Sequence, residues 1–407
     1  MKLYSDLKTP DDWELEVVER KGIGHPDTLA DGLAETVSNE YAAFCEENFD
    51  AVLHHNIDKL SLIGGLAEVD FGEGDEIVPS KVILNGRMST RFGDEEIDIE
   101  TLMRDSVKRY LNDILPNLDT SPKIEIHTND YSHNPHWYRP RDLQDVPDAE
   151  SPHANDTSTC VSYWPPTPVE EAVLGIEAFF YDDDLHPRFD YVGQDIKVMA
   201  NRNGSSVDFT VAVPFITEET PDLKFYERHI EDFEERIAMY AEEIMNGKYD
   251  ATVTINHSGQ WEDEYYLLAT GSCIESGEEG VVGRGNQAHG TISIHRPSSM
   301  EAPHGKNPVY HVGKVYQIIS DHLSRTIAGT FDCRCTVNMT SKIGADLYDP
   351  GNLTVRTDTA IDEGKLEDVV YQTLRSKDWT AKIVDEGALM PLNRIREFKQ
   401  RSNVSPN

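Results

Sequence analysis

Positive charge is what this sequence has least of. Its 37 lysines and arginines face 74 aspartates and glutamates, a formal net charge of −37 over 407 residues. That balance argues against binding nucleic acid or an anionic membrane through bulk electrostatics. No stretch approaches the roughly 18 consecutive apolar residues of a membrane span. The segment from Met1 to Trp13 is acidic and lacks the cationic-then-apolar pattern of a secretory leader. Cysteines are few, odd in number and scattered: Cys45, Cys160, Cys273, Cys333 and Cys335. They read as reduced thiols of a cytoplasmic protein rather than a disulfide framework. With 38% hydrophobic and 9% aromatic residues there is enough apolar material to fold, and a length prior of roughly 100–200 residues per domain suggests two or three domains.

One segment departs from the acidic background. Between Val281 and Thr330 the basic residues are Arg284, Arg296, Lys306, Lys314 and Arg325, against only Glu301 and Asp321. The same window holds His289, His295, His304, His311 and His322. Clustered lysine and arginine are what a polyphosphate needs. Elsewhere the acidic runs read as a solvated surface.

Along the chain, a short strand is expected at 14–18, then a loop, Arg20-Lys21-Gly22-Ile23-Gly24-His25-Pro26-Asp27. Leu29, Leu33, Val37, Tyr41 and Phe44 follow at helical spacing. The region 51–71 reads as extended, 81–90 as a strand and 99–115 as a helix. Residues 129–156, rich in Pro, His, Asn and Asp, form the longest candidate loop. Thr167-Pro168-Val169-Glu170 is a capping-box pattern opening a helix to about Tyr181. A hairpin is expected around Asn201-Arg202-Asn203-Gly204, a helix over 223–245, strands at 251–256 and 265–270, and a helix over 307–327. Strand, strand, helix then follow at 333–339, 353–357 and 366–374. Hairpins mixed with long helices indicate an α+β fold.

Two nucleotide motifs fail. Gly283-Arg284-Gly285-Asn286 lacks the third glycine of a dinucleotide fingerprint, and Gly305-Lys306 is preceded and followed by the wrong residues for a phosphate-binding loop. His133 and His136 have no partners to complete a metal set. Gly24-His25-Pro26-Asp27 at a helix start is more promising. Free N–H groups suit phosphate, His can donate to a phosphate oxygen, and Asp can hold Mg²⁺.

Several segments resemble the archaeal-type S-adenosylmethionine synthetase (methionine adenosyltransferase) family. They are residues 18–27 with Ala30-Asp31-Gly32, His54 to Lys59 with Gly64-Gly65, Ala154 to Ser158, Gly193 to Met199, Val282 to Asn286, Arg296-Pro297, Met300-Glu301, and Gly305 to Val309 with His311 to Lys314. The resemblance implies three similar α+β subdomains with pseudo-threefold symmetry and mixed or antiparallel sheets covered by helices. Their approximate spans are 1–135, 136–250 and 251–407, with interleaving between them allowed. It implies a cytoplasmic homodimer with interface active sites that uses ATP and methionine, with Mg²⁺ and K⁺ as candidate ions. The methionine sulfur would attack C5′ of ATP and the triphosphate released would be hydrolysed to pyrophosphate and phosphate. By motif position, His25, Lys197, Arg284 and Lys306 would be catalytic and Asp27 would hold the metal. Asp58, Lys59, Asn155, Asp156, Asp195, Glu278, Asn286 and Lys314 would bind substrate, Asp156 taking the methionine amino group. Leu66, Gln194, Glu278 and Trp164 depart from the family pattern. They raise two alternatives: a paralogue coupling another nucleoside triphosphate or thioether, and a catalytically silent regulatory subunit. The same departures predict a substrate pocket reshaped at Leu66, Glu278 and Trp164.

Overall fold

The computed structural model describes residues 1–9, 13–118, 121–257, 265–375, 378–402 and 404. Its helices are α1 (Pro26–Phe49), α2 (Ile99–Ile114), α3 (Pro168–Ala178), α4 (Leu223–Ile244), α5 (Val312–Phe331), α6 (Glu363–Arg375), α7 (Trp379–Val384) and α8 (Pro391–Arg401). They cover three larger sheets, which makes the fold α+β as expected.

The three sheets repeat one plan. In the first, Lys123–Asn129 lies parallel on Lys81–Met88, which pairs antiparallel with Ser61–Ile63, and Gly280–Val281 closes the edge. In the second, Asp250–Ile255 lies parallel on Ser206–Ala212, followed antiparallel by Lys197–Asn203, Leu15–Lys21 and Ile292–Ser293. In the third, Lys2–Tyr4 lies parallel on Asn352–Thr357, followed antiparallel by Cys335–Thr340 and Thr159–Trp164. One parallel edge strand on an antiparallel run, repeated three times, is the pseudo-threefold likeness. Each sheet buries its own apolar cluster: the first under α1 and α2, the second under α3 and α4, the third under α5, α6 and α7.

Local chemistry accounts for most of the elements. Thr167 and Glu170 form the reciprocal capping box at the start of α3. Gly204, at φ 60°, turns the hairpin between the two central strands of the second sheet. α1 is buried on nearly every side, so it is a central helix rather than a surface one. The strand expected at 14–18 runs on to Lys21. α5 starts at Val312 rather than near Asn307, because Gly305 takes φ 73° and the Asn307 amide donates to Leu53 O at 3.1 Å, holding that segment as a turn. Of the strand expected at 265–270 only Leu267–Leu268 is laddered; the N–H groups of Ala269 and Thr270 go to the Glu275 carboxylate instead, at 2.7 and 2.6 Å. No described helix is long and apolar enough to cross a membrane, and all five cysteines are free.

Candidate active site

The α1 N-terminus is seated by backbone. Gly22 N donates to Ile196 O at 2.6 Å and Gly24 N to Gln194 O at 3.0 Å. A Cβ on Gly24 would lie 2.6 Å from the Gln194 carbonyl carbon, so only glycine allows this approach. The register places Lys21 opposite Lys197 on the neighbouring strand, beside His25. His25 is the N-cap of α1, and its Nδ1 accepts from Asp27 N at 3.1 Å. An accepting Nδ1 fixes the neutral tautomer and leaves the proton on Nε2. Burial pushes the His25 pKa down to about 4, with Lys21 adding to the effect, so the ring is neutral near pH 7.

The glycine-rich segment lies over this helix start. Val281 N donates to Asp27 Oδ1 at 3.1 Å and Gly283 N to Asp31 Oδ1 at 2.7 Å. Asn286 bonds the Lys21 backbone in both directions, at 3.0 and 2.6 Å. Lys21 Nζ reaches Asp27 Oδ2 at 2.9 Å and Arg284 O at 2.7 Å. Lys197 is part-exposed, with Nζ 3.5 Å from Glu19. The Arg284 side chain is exposed and has no acidic partner among the described residues. His25, Asp27, Lys197, Arg284 and Asn286 therefore come together, with Lys21 added.

A second group lies further along α1. Lys306 Nζ pairs with Glu301 and stands 4.0 Å from Oδ2 of Asp58, whose Oδ1 takes Lys59. Lys59 is otherwise exposed. His311 is the N-cap of α5, its Nδ1 accepting from Gly313 N at 3.2 Å, and burial together with Lys306 and Lys314 holds its pKa well below the ordinary value. Asn155 Oδ1 accepts from Val312 N at 3.0 Å at the same helix start. Asp156, next to it, is exposed and accepts from Thr157 N. Lys314 is fully buried, its ammonium 2.9 Å from Glu35 and 3.3 Å from Ser38 Oγ; Glu35 also accepts from Gly305 N at 3.1 Å. Lys314 thus reaches the Gly305-Lys306 turn through Glu35.

What joins the groups is a polar stripe on α1: Asp27, Asp31, Glu35 and Ser38, at helical spacing on a buried helix. A cavity of about 370 Å³ lies alongside it, lined by Asp31, Gly283, Asn286, Met300, Glu301 and His304 among others. His304 Nδ1 is 3.2 Å from Asp31; the carboxylate outweighs burial and raises the imidazole pKa. Lys21, Asp31, Glu35, Glu301 and His311 were given no site role from sequence. The i, i+4 acids of α1 were a readable signal, since a buried helix has no solvent to satisfy them.

A third group is at the far side of the glycine-rich segment. Asp195 is buried and accepts from Cys273 N at 2.9 Å; burial lifts its pKa to about 6, and Glu278 adds to the rise. Leu66 bridges Ser276, and Gly64 packs against Gly277 and Glu278, so two of the departing residues are neighbours. Trp164 is not with them. It ends its strand opposite Cys335, between Arg325 and Arg401, whose guanidinium carbons lie 4.1 and 5.1 Å from its ring centroid. The expectation that it reshapes the pocket beside Asp156 fails because Trp164 is the last residue of the six-residue strand Thr159–Trp164, roughly 17 Å of extended chain from the end nearer Asp156.

The sequence profile described as S-adenosylmethionine synthetase (AdoMet synthetase) matches residues 5–385. An S-adenosylmethionine synthase of Haloarcula marismortui is 36% identical over 373 residues, 89% of this chain and 90% of that protein. Another, from Methanococcus vannielii, is 35% identical over 359 residues, 86% and 87% of the two chains. An uncharacterized protein of Streptococcus pyogenes serotype M3 is 39% identical over 387 residues, 92% of this chain and 94% of that protein. Among solved structures, an unusual S-adenosylmethionine synthetase from Campylobacter jejuni superposes with a TM-score of 0.57 over 96% of this chain and 91% of that one, at 15% identity, which shows a shared fold.

Proposed function

Since the chain belongs to the S-adenosylmethionine synthetase family, we propose that it joins ATP and methionine at the α1 site, as a cytoplasmic homodimer. The observation that carries this is the grouping of Lys21, His25, Lys197 and Arg284 around one helix N-terminus in a chain of net charge −37. A polyphosphate leaving group is the chemistry that such a concentration of donors suits.

In this reading the methionine sulfur attacks C5′ of ATP. The C5′–O bond breaks, its electron pair stays on the triphosphate oxygen, and the sulfur becomes a sulfonium. His25 Nε2–H donates to the departing triphosphate. Lys197 and Arg284 offset its charge, and Lys21 holds the Asp27 carboxylate and the Arg284 carbonyl in place. Lys306 meets the phosphates from the second group, where Lys59 and Asp58 flank the substrate. Lys314 acts through Glu35, which ties it to the Gly305 turn. Asn286 holds the glycine-rich segment against Lys21. Asn155 caps α5 while the exposed Asp156 receives the methionine ammonium. Water then cleaves the triphosphate to pyrophosphate and phosphate.

Asp27 and Asp31, one helical turn apart, offer the hard oxygen donors that Mg²⁺ takes. Among the described residues no three metal-type side chains converge. That fits an ion held by one or two carboxylates and completed by substrate phosphates. Mg²⁺, when bound, neutralises polyphosphate charge; K⁺ is a further candidate counter-ion.

A second reading rests on Leu66 and Glu278, which adjoin one another and, through Glu278, the buried Asp195. It keeps the alkyl transfer but changes the nucleotide or thioether. Incubation of each nucleoside triphosphate with methionine and, separately, with other thioethers, followed by mass spectrometry, separates the two. The ATP–methionine adduct as main product supports the first reading; a different dominant adduct supports the second; no adduct refutes both.

A further inference from the structure

The start of α5 is built like the start of α1. His311 caps one and His25 the other, each with extended backbone, and each ring Nδ1 accepts from the N–H two residues on, at 3.2 and 3.1 Å. An accepting Nδ1 leaves the proton on Nε2. His311 is only 8% exposed. Its Nε2 has no partner among the described residues, yet it is not shut off from solvent. A polar group in so buried a residue is nearly always partnered, so this N–H calls for an acceptor.

The backbone around it has no donor to spare. Val312 N goes to Asn155 Oδ1 at 3.0 Å, Gly313 N to the ring, and the Lys314 and Val315 N–H groups to His311 O at 2.9 Å each. The ring is therefore the donor left at this helix start, where the dipole favours negative charge. Lysines surround it: Lys306, Lys314 and Lys59 all act against a second proton on the imidazole. The first turn stays close to one of them, since a Cβ on Gly313 would lie 3.1 Å from Lys306 Nζ. Beside the Asn155 cap stands the exposed Asp156.

The charge balance narrows the ligand. Lys59 pairs with Asp58, Lys306 with Glu301 and Lys314 with Glu35. Arg284, at the α1 end, has no acidic partner among the described residues. The matched charges around α5 suit a zwitterion better than a second polyanion. In the reading above, Asp156 takes the amino-acid ammonium, while the carboxylate on the same carbon still lacks a donor. Resting on that reading of the site, we propose that His311 Nε2–H holds this carboxylate, so that the α5 end selects a free α-amino acid over other thioethers.

The test is steady-state kinetics of adduct formation by the whole protein with ATP and L-methionine. L-methioninol, which has a hydroxymethyl group in place of the carboxylate, serves as competitor. His311→Asn keeps an oxygen where Nδ1 caps α5 but puts no donor at Nε2. His311→Gln places an amide N–H near Nε2 and gives up the cap. The Asn variant should melt near the parent and raise KM for methionine at least about tenfold. Its KM for ATP and its inhibition constant for methioninol should stay within about twofold of the parent. The Gln variant should melt lower yet hold KM for methionine within about threefold. An equal loss for methioninol, or a rise in KM for ATP in place of methionine, would overturn the assignment. So would a methionine KM that follows melting temperature across the two variants. A parent that forms no adduct refutes the reading of the site and this contact with it. A parent that forms it, while His311→Asn keeps the parent's KM for methionine, refutes the contact alone.

Discussion

Replacing His25 separates two jobs that its imidazole does with different nitrogens. Nδ1 caps α1 by accepting from Asp27 N; Nε2–H is left for the triphosphate. His25→Ala removes both. Loss of the cap costs about 0.5–2 kcal/mol of stability. Loss of one preorganised donor to the leaving group costs about 2.7–4 kcal/mol of transition-state stabilisation, or about 10²–10³ in rate. His25→Asn retains a side-chain oxygen at the N-cap, where Asn ranks among the preferred residues, but places no donor at the reach of Nε2. The expected pattern is that Ala lowers both melting temperature and turnover, while Asn nearly preserves the melting temperature and still loses about 10²-fold in turnover. Thermal unfolding and product quantification on the same preparations read both quantities. If His25→Asn turns over within about threefold of the parent, the donor role assigned to Nε2 is wrong. Should turnover track melting temperature in both variants, His25 is a structural cap only.

Other positions give independent checks. Asp195 is buried, and its pKa rises from the ordinary 3.8 to about 6. The folded state therefore binds its proton more tightly, and the destabilisation is absent below about pH 4, grows with rising pH and is complete above about pH 6. Asp195→Asn should raise unfolding stability by about 3 kcal/mol at pH 8 and by little at pH 4; equal gains at both would refute the buried-charge account. Glu177 is fully buried, pairs with Arg20 and accepts from Ile23 N at 2.8 Å, so Glu177→Ala should cost about 3–5 kcal/mol in urea unfolding by stranding the arginine. A loss near zero would mean that the pair contributes nothing. Lys306→Ala should weaken triphosphate binding about tenfold to a hundredfold by calorimetry, and the parent should need Mg²⁺ to bind it; equal affinity without the metal contradicts the carboxylate–metal proposal. Glu278→Asp should move nucleotide or thioether preference, whereas Trp164→Ala should lower stability and leave preference alone, and the reverse outcome would place the pocket elsewhere.

The helix start at His25 was legible because three signals coincide there: glycines that allow close backbone approach, a proline at the first helical position, and an apolar repeat running from Leu29 to Phe44. The capping box of α3 was legible for the same reason, as its chemistry is local. The strand Thr159–Trp164 was hidden because it is buried on both faces, so its residues do not alternate. α8 was hidden because its buried face is only Arg394, Ile395 and Phe398 in a mostly charged segment. Within the site, motif spacing identified Lys314 but not its burial against Glu35, a partner 279 residues away on another helix. Similarly, Trp164 lies close to Asp156 in sequence, yet the strand between them carries it to two arginines. Long-range pairing decides such cases, and one sequence carries no record of it.

The central claim is that triphosphate leaves from C5′ as a unit at the α1 site. Phosphorus NMR of the reaction with ATP and methionine, alongside quantification of the sulfonium product, tests it most directly. The account predicts one S-adenosylmethionine for each ATP consumed, with pyrophosphate and phosphate in equal amounts and no ADP or AMP. Appearance of ADP with phosphate, or of AMP with pyrophosphate, and no sulfonium product would contradict it.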